Sequence, residues 1–192
     1  MKKGLPRLAF NAPVVLTFTA ICLLAMVLNR LTGGMSNLKL FSVYRAPLSD
    51  PLTWFRMVGH IFGHADWNHF TGNMMYILLL GPMLEEKYGS RDLAIIILIT
   101  GLLTGLIYFF FVPRTLLLGG SGVVFAMILL SSITRTKDNA IPVTFVLVAA
   151  LYIGQQAWLA LTANDNVAYL GHIIGGTVGA TLGLGLNSLE SK

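Results

Sequence analysis

"LLLGGSGVVFAMILL", residues 116–130, is an apolar run of the kind buried in a bilayer, yet it holds a serine among glycines. A hydroxyl in that setting is costlier than Ala or Leu, because lipid offers it no hydrogen-bond partner. The surrounding chain shows which solvent the run occupies, and the other polar residues show what the hydroxyl could do.

Of the 192 residues, 55% are hydrophobic and only 11% are charged, and the mean hydropathy is +0.75. That balance excludes an ordinary soluble domain and indicates an all-α integral membrane protein. A hydrocarbon core about 30 Å thick takes roughly 20 apolar residues per helix. Six stretches qualify, at about 12–29, 68–84, 93–112, 116–133, 141–161 and 167–187. They nearly exhaust the chain, so the expectation is a single domain over residues 1–192: a six-transmembrane-helix bundle with a first outer loop at about 30–58. Residues 1–30 have the charge and apolar run of a signal peptide but no A-x-A site, so they are read as a retained first helix.

Positive charge near span ends favours the cytoplasmic side. An N-in, C-in topology places Lys2, Lys3, Arg7, Lys87, Arg91, Arg135, Lys137 and Lys192 inside and Arg30, Lys39, Arg45, Arg56 and Arg114 outside. The net charge of +5 is accounted for by topology rather than by nucleic-acid binding. Cys22 is alone, so no intrachain disulfide forms, and packing is its expected role.

Polar residues within spans are costly and point to function. Counting back from the expected cytoplasmic ends at 1.5 Å per residue, Ser121 lies about 20 Å deep, His172 about 23 Å, His69 about 24 Å and Asn73 about 18 Å. The four converge on one layer, in the outer half of the core. A Ser and a His at matching depth suggest a nucleophile and the base that removes its proton. Gly119, Gly120 and Gly122 would let the backbone turn tightly and let another helix or a substrate approach Ser121. If a helix starts near Ser121, its free N–H groups lie where an oxyanion would develop. "VPRT" at 112–115 marks the preceding turn. His69 and Asn73, spaced i, i+4, share a helix face and could supply further donors. No acidic residue stands at this depth to orient His172, so a Ser–His dyad fits better than a triad. Taken singly, each residue has a plain alternative: Gly and Ser serve close packing, and His and Asn serve as interhelical hydrogen-bonding groups.

With these residues in place, the chain resembles the rhomboid intramembrane serine proteases over nearly its whole length. "GGSG" at 119–122 matches the family's G-x-S-G, "LGHIIGG" at 170–176 its last-helix histidine, and "HIFGHADWNHFTGN" at 60–73 its H-x-x-x-N. "EEKYGS" at 85–90 is similar to its acidic and G-S turn, and "WFR" at 54–56 to its Trp-Arg element, with Phe55 inserted. The resemblance implies Ser121 as nucleophile and His172 as general base. It also implies His69, Asn73 and the Ser121 N–H as oxyanion stabilisers. Gly175 would let the last helix pack against the serine helix, and Gly171, Gly175, Gly179 and Gly183 share one face. Phe125 stands where many members carry Tyr, keeping an aromatic surface for His172; Leu118 stands where some carry Gly.

The expected function is therefore hydrolysis of peptide bonds in or beside transmembrane helices of protein substrates within the lipid bilayer, without metal or cofactor. The bilayer expected is a bacterial-type cytoplasmic membrane, and the residue pattern sets no oligomeric state. Two rivals are a noncatalytic rhomboid-fold protein that binds or escorts membrane helices, and a metal protein using His60, His64, His69 and His172. His60 and His64 are read as structural residues at a loop boundary, pointing away from His69. Arg56 is read as a loop anchor or headgroup contact, and Glu85 and Glu86 as partners of Lys87, Arg91 or nearby backbone.

Overall fold

Pro13 opens the first helix, α1 (Pro13–Leu31), where a missing N–H costs nothing and the fixed φ suits a helix. The protein is described by a computed structural model covering residues 8–112, 114–133, 140–163 and 168–190. The expectations for Lys2, Lys3, Arg7, Pro113, Arg135, Lys137 and Lys192 lie outside the described residues. No side chain within α1's own first turn caps its free N–H groups. Glu85, distant in sequence, does so instead, accepting from Val14 at 3.0 Å and Val15 at 3.1 Å. Ser90 donates to the same carboxylate at 2.6 Å. Of the expected partners, Lys87, Arg91 or nearby backbone, it is backbone that meets the carboxylate, but the backbone of another helix: Glu85 is 4% exposed and serves α1's positive end. Lys87 turns elsewhere, donating to the Ile133 carbonyl at 2.6 Å.

The outer segment after α1 is not plain loop. It holds α2 (Met35–Lys39), α3 (Pro51–Gly59) and a single 3-10 turn, His60–Phe62. Asp50 caps α3, accepting from Leu52 N–H at 2.9 Å and from Arg56 at 3.1 Å. Those two donors hold its carboxyl below the usual carboxylate range. The cap therefore keeps its charge at neutral pH and is lost as pH falls through that lowered value. Arg56 is 3% exposed, donates also to the Lys39 carbonyl and Thr53 hydroxyl, and lies 4.7 Å from the Tyr44 ring centre. It is a loop anchor, one of the two expected readings.

The next element, α4 (Trp67–Phe111), runs 45 residues. If straight it would reach about 68 Å, twice a bilayer core. It breaks at Gly89 (φ 81°, ψ 156°), a conformation open to glycine, into two arms of about 22 residues each. The arms match the second and third predicted stretches. After them come α5 (Ser121–Ser131), α6 (Val143–Thr162) and α7 (Tyr169–Glu190). The stretch expected at 116–133 is corrected, because only 11 of those residues are α-helix, about 16 Å of rise. Leu117 instead pairs with Val43 through N–H···O bonds of 2.8 and 3.0 Å, the isolated bridge being the nearest approach to a strand among the described residues.

Four helices, α1, α4, α6 and α7, are long and apolar enough to cross a membrane. The short α5 sits in their midst, packed chiefly on α7 and α4. Val123, Val124, Met127, Leu129 and Leu130 are all buried, as expected of a helix that is apolar all round. They join Val15, Phe18, Cys22 and Met26 of α1 and Ile77, Leu84, Leu93 and Ile96 of α4 in one core. By contrast α6 buries only Phe145 and Gln156, and leaves Val143, Leu147, Leu151, Trp158 and Leu161 exposed.

Removing the long-range cap should be felt across the fold. Glu85→Ala is expected to lower unfolding free energy by about 3 kcal/mol, since it strips two backbone donors and Ser90 of a charged acceptor. Thermal unfolding in detergent, with Glu86→Ala as the exposed comparison, checks this.

Candidate active site

Three helices begin at one level and bring the polar residues together. His69 is the third residue of α4, Ser121 the first of α5 and His172 the fourth of α7. Asp66 caps α4 by accepting the His69 N–H at 2.8 Å. Gly120 precedes Ser121 and offers no side-chain cap, so the first N–H groups of α5 are left for another acceptor.

Ser121 Oγ and His172 Nε2 are 2.9 Å apart. The imidazole stacks on Phe125, centroids 4.4 Å apart and planes at 4°, so the aromatic surface expected there is present. Backbone approach sets the spacing. A Cβ added at Gly175 would lie 2.0 Å from the Gly122 carbonyl oxygen, and one at Gly179 2.3 Å from that of Ala126. Gly171 and Gly183 lie along the same seam, the former near Gly122 and Thr104, the latter against the side chains of Ile133 and Leu130.

Gly119 has φ 126°, a value L side chains rarely adopt, and its N–H donates to the His60 carbonyl at 2.9 Å. A Cβ there would meet His69 Cε1 at 2.6 Å and Nε2 at 2.7 Å. The bare backbone thus lets the His69 ring lie close beside the serine turn. Ala65 N–H points at His69 Nδ1 from 3.5 Å, a long contact that favours the tautomer with hydrogen on Nε2, facing the turn. Asn73 is 7% exposed, and its Nδ2 is buried without a hydrogen-bond partner among the described residues. A buried, unpaired donor is rare and calls for an acceptor. His69, Asn73, Ser121, Phe125 and His172 all line one cleft of about 510 Å³.

His60 and His64 stand at the loop boundary as expected, but His64 does not point away from His69. The chain is extended at Gly63, and the two rings meet edge-on at 5.1 Å. His60 Nε2 is bonded to the Gly101 carbonyl and His64 Nδ1 to that of Phe62, both at 3.1 Å. Burial pushes both imidazoles down to about 4, so both are neutral at physiological pH. Among the described residues no three His, Cys, Asp or Glu side chains are grouped to hold a metal ion.

One contact was absent from the sequence reading. Gln156 of α6 places Oε1 2.7 Å from His172 Nδ1. The orienting group is an amide rather than an acid, and its signal in the sequence is the polar pair "QQ" at 155–156 within an apolar stretch.

The Rhomboid domain family profile matches residues 51–188, which span every residue of this cleft. The chain belongs to the rhomboid family. It is 26% identical over 171 residues to rhomboid protease GlpG of Serratia proteamaculans, covering 87% of this chain and 60% of the relative. It is 25% identical over 174 residues to rhomboid protease GluP of Bacillus subtilis, covering 87% and 34%. With the chloroplastic rhomboid-like protein 11 of Arabidopsis thaliana it shares 25% over 143 residues, 67% and 51% of the two chains. The chain thus matches between about a third and three fifths of these relatives' lengths.

The α5–α7 seam can be tested directly. Gly175→Ala is expected to cost about 1–3 kcal/mol through overpacking. Gly154→Ala, on α6 with no atom within 4 Å of the added Cβ, should leave the unfolding midpoint unlowered in the same detergent melt.

Proposed function

We propose that this rhomboid-family chain is an intramembrane serine endopeptidase that cleaves peptide bonds in or next to transmembrane helices of other membrane proteins. The observation that carries the reading is the 2.9 Å contact between Ser121 Oγ and His172 Nε2, at the uncapped start of a buried helix and open to a cleft. Two of the relatives named above are called proteases, which agrees with it.

In this mechanism His172 Nε2 takes the Ser121 proton as Oγ attacks the scissile carbonyl. The tetrahedral oxyanion is met by the Ser121 N–H, Asn73 Nδ2 and His69 Nε2–H, groups that lack competing acceptors on their cleft side. Collapse of the intermediate passes the proton from His172 to the leaving amine and leaves an acyl ester on Ser121. Water, deprotonated by His172, then hydrolyses that ester and restores both side chains. The sequence of steps calls for no metal or cofactor. Gly119, Gly120 and Gly122 shape the serine turn, while Gly175 and Gly179 hold α7 against it.

The same reading proposes six membrane crossings, counting α1, both arms of α4, α5, α6 and α7, with both termini on the cytoplasmic side. The proposed location is a bacterial-type cytoplasmic membrane.

Fluorophosphonate labelling in proteoliposomes tests the chemistry. Wild type should label, and Ser121→Ala and His172→Ala should lose labelling and at least about 10³-fold in cleavage of a model transmembrane substrate. Asn73→Ala should lose about 10²-fold in kcat. An intact wild type that neither labels nor cleaves overturns the protease reading. Topology is checked with single cysteines, because Cys22 is buried. Lys39→Cys should react with an impermeant maleimide on intact cells, and Glu86→Cys only after permeabilisation.

A further inference from the structure

The geometry points to Gln156 as the third member of a Ser–His–Gln arrangement, a positioning residue that fixes the tautomer and orientation of His172. This inference rests on the protease reading, which requires His172 Nε2 to be free of hydrogen before it takes the Ser121 proton. The hydrogen of the neutral ring must then sit on Nδ1. Gln156 Oε1, 2.7 Å from Nδ1, is the acceptor that holds it there. After proton transfer the ring is a cation, and the same bond becomes charge-assisted and stronger.

The rest of α6 supports that assignment. The helix runs largely exposed, and Phe145 and Gln156 are its buried residues. Of the two adjacent glutamines, Gln155 is exposed and Gln156 is 6% exposed, so the helix directs one amide inward and spends it on His172. Tyr152, one turn earlier on the same face, meets Phe125 edge-on at 5.9 Å. Phe125 in turn stacks on the His172 ring. The base is therefore held by α6 in two ways, through an aromatic relay across its plane and through a hydrogen bond in its plane. An amide carries no charge, so it orients the ring without placing an uncompensated carboxylate in the bundle.

The test compares wild type with Gln156→Met, nearly isosteric but lacking the carbonyl, with Gln156→Leu, and with Gln156→Glu, which restores an acceptor. Two activities are followed in proteoliposomes: kcat and KM for a transmembrane substrate, and the rate of fluorophosphonate labelling. The first two variants should lower kcat and the labelling rate together, by about tenfold each, with KM within twofold of wild type. Gln156→Glu should recover most of that loss. In ¹⁵N-histidine NMR, the His172 signals, identified by their absence from His172→Ala, should report hydrogen on Nδ1 in wild type. That single tautomer should be lost in Gln156→Met.

Unchanged kcat and labelling in both Gln156→Met and Gln156→Leu would overturn the proposal, as would a loss confined to KM. A wild-type His172 with hydrogen on Nε2 would also overturn it. Wild type inert to substrate and probe, yet showing a Nδ1–H tautomer that depends on Gln156, would overturn the protease reading and leave the hydrogen-bond assignment supported.

Discussion

The approach of α7 to α5 at Gly175 and Gly179 is the constraint on which the rest depends. Two helices in lipid gain little from the hydrophobic effect, so their association relies on close packing and on polar contacts. Here two glycines place α7 against the backbone oxygens of Gly122 and Ala126, closer than any Cβ would permit. That distance is also the separation of Ser121 from His172, since each residue sits on one helix, one turn or less from the seam. A change in helix spacing of even half an ångström would turn a hydrogen bond into a gap.

Other ties keep this seam in its frame, and they are polar ones at helix ends. Glu85 joins α4 to the start of α1, and Lys87 joins the same part of α4 to the end of α5. On the opposite side Arg56 gathers α3, the end of α2 and Tyr44 about one guanidinium. The helices supply apolar surface that lipid could solvate almost equally well. Their register therefore owes much to capped termini, where backbone groups would otherwise be left without partners.

Much of this was legible in the residues. Apolar stretch lengths located α1, both arms of α4, α6 and α7 to within a few residues, because each must match a bilayer. Depth along the helices draws Ser121, His172, His69 and Asn73 together in the sequence, and the four side chains line one cleft. The length of α5 was not legible, because Leu116–Leu118 are as apolar as a helix, yet Leu117 pairs with Val43 instead. That the backbone partners of Glu85 belong to α1 was not legible, because they lie some 70 residues away. Gln156 stands thirteen residues from Val143, about 20 Å along its helix and level with Ser121 by the same count, but its chemistry marks it weakly. An amide carries no charge to attract attention.

The shortness of α5 has a bearing on water. As one of the six proposed crossings, a helix of about 16 Å would leave nearly half of a 30 Å hydrocarbon core unfilled along its axis. The vacated depth is bordered by Thr115–Leu118, whose non-helical backbone is tolerable at that level only where protein or water satisfies it. On the proposed reading, in which α5 is one of the crossings, the cleft stands open above Ser121 because the helix begins only there. The depth of the cleft is in this sense a property of helix length: each further residue wound onto the start of α5 would close about 1.5 Å of it.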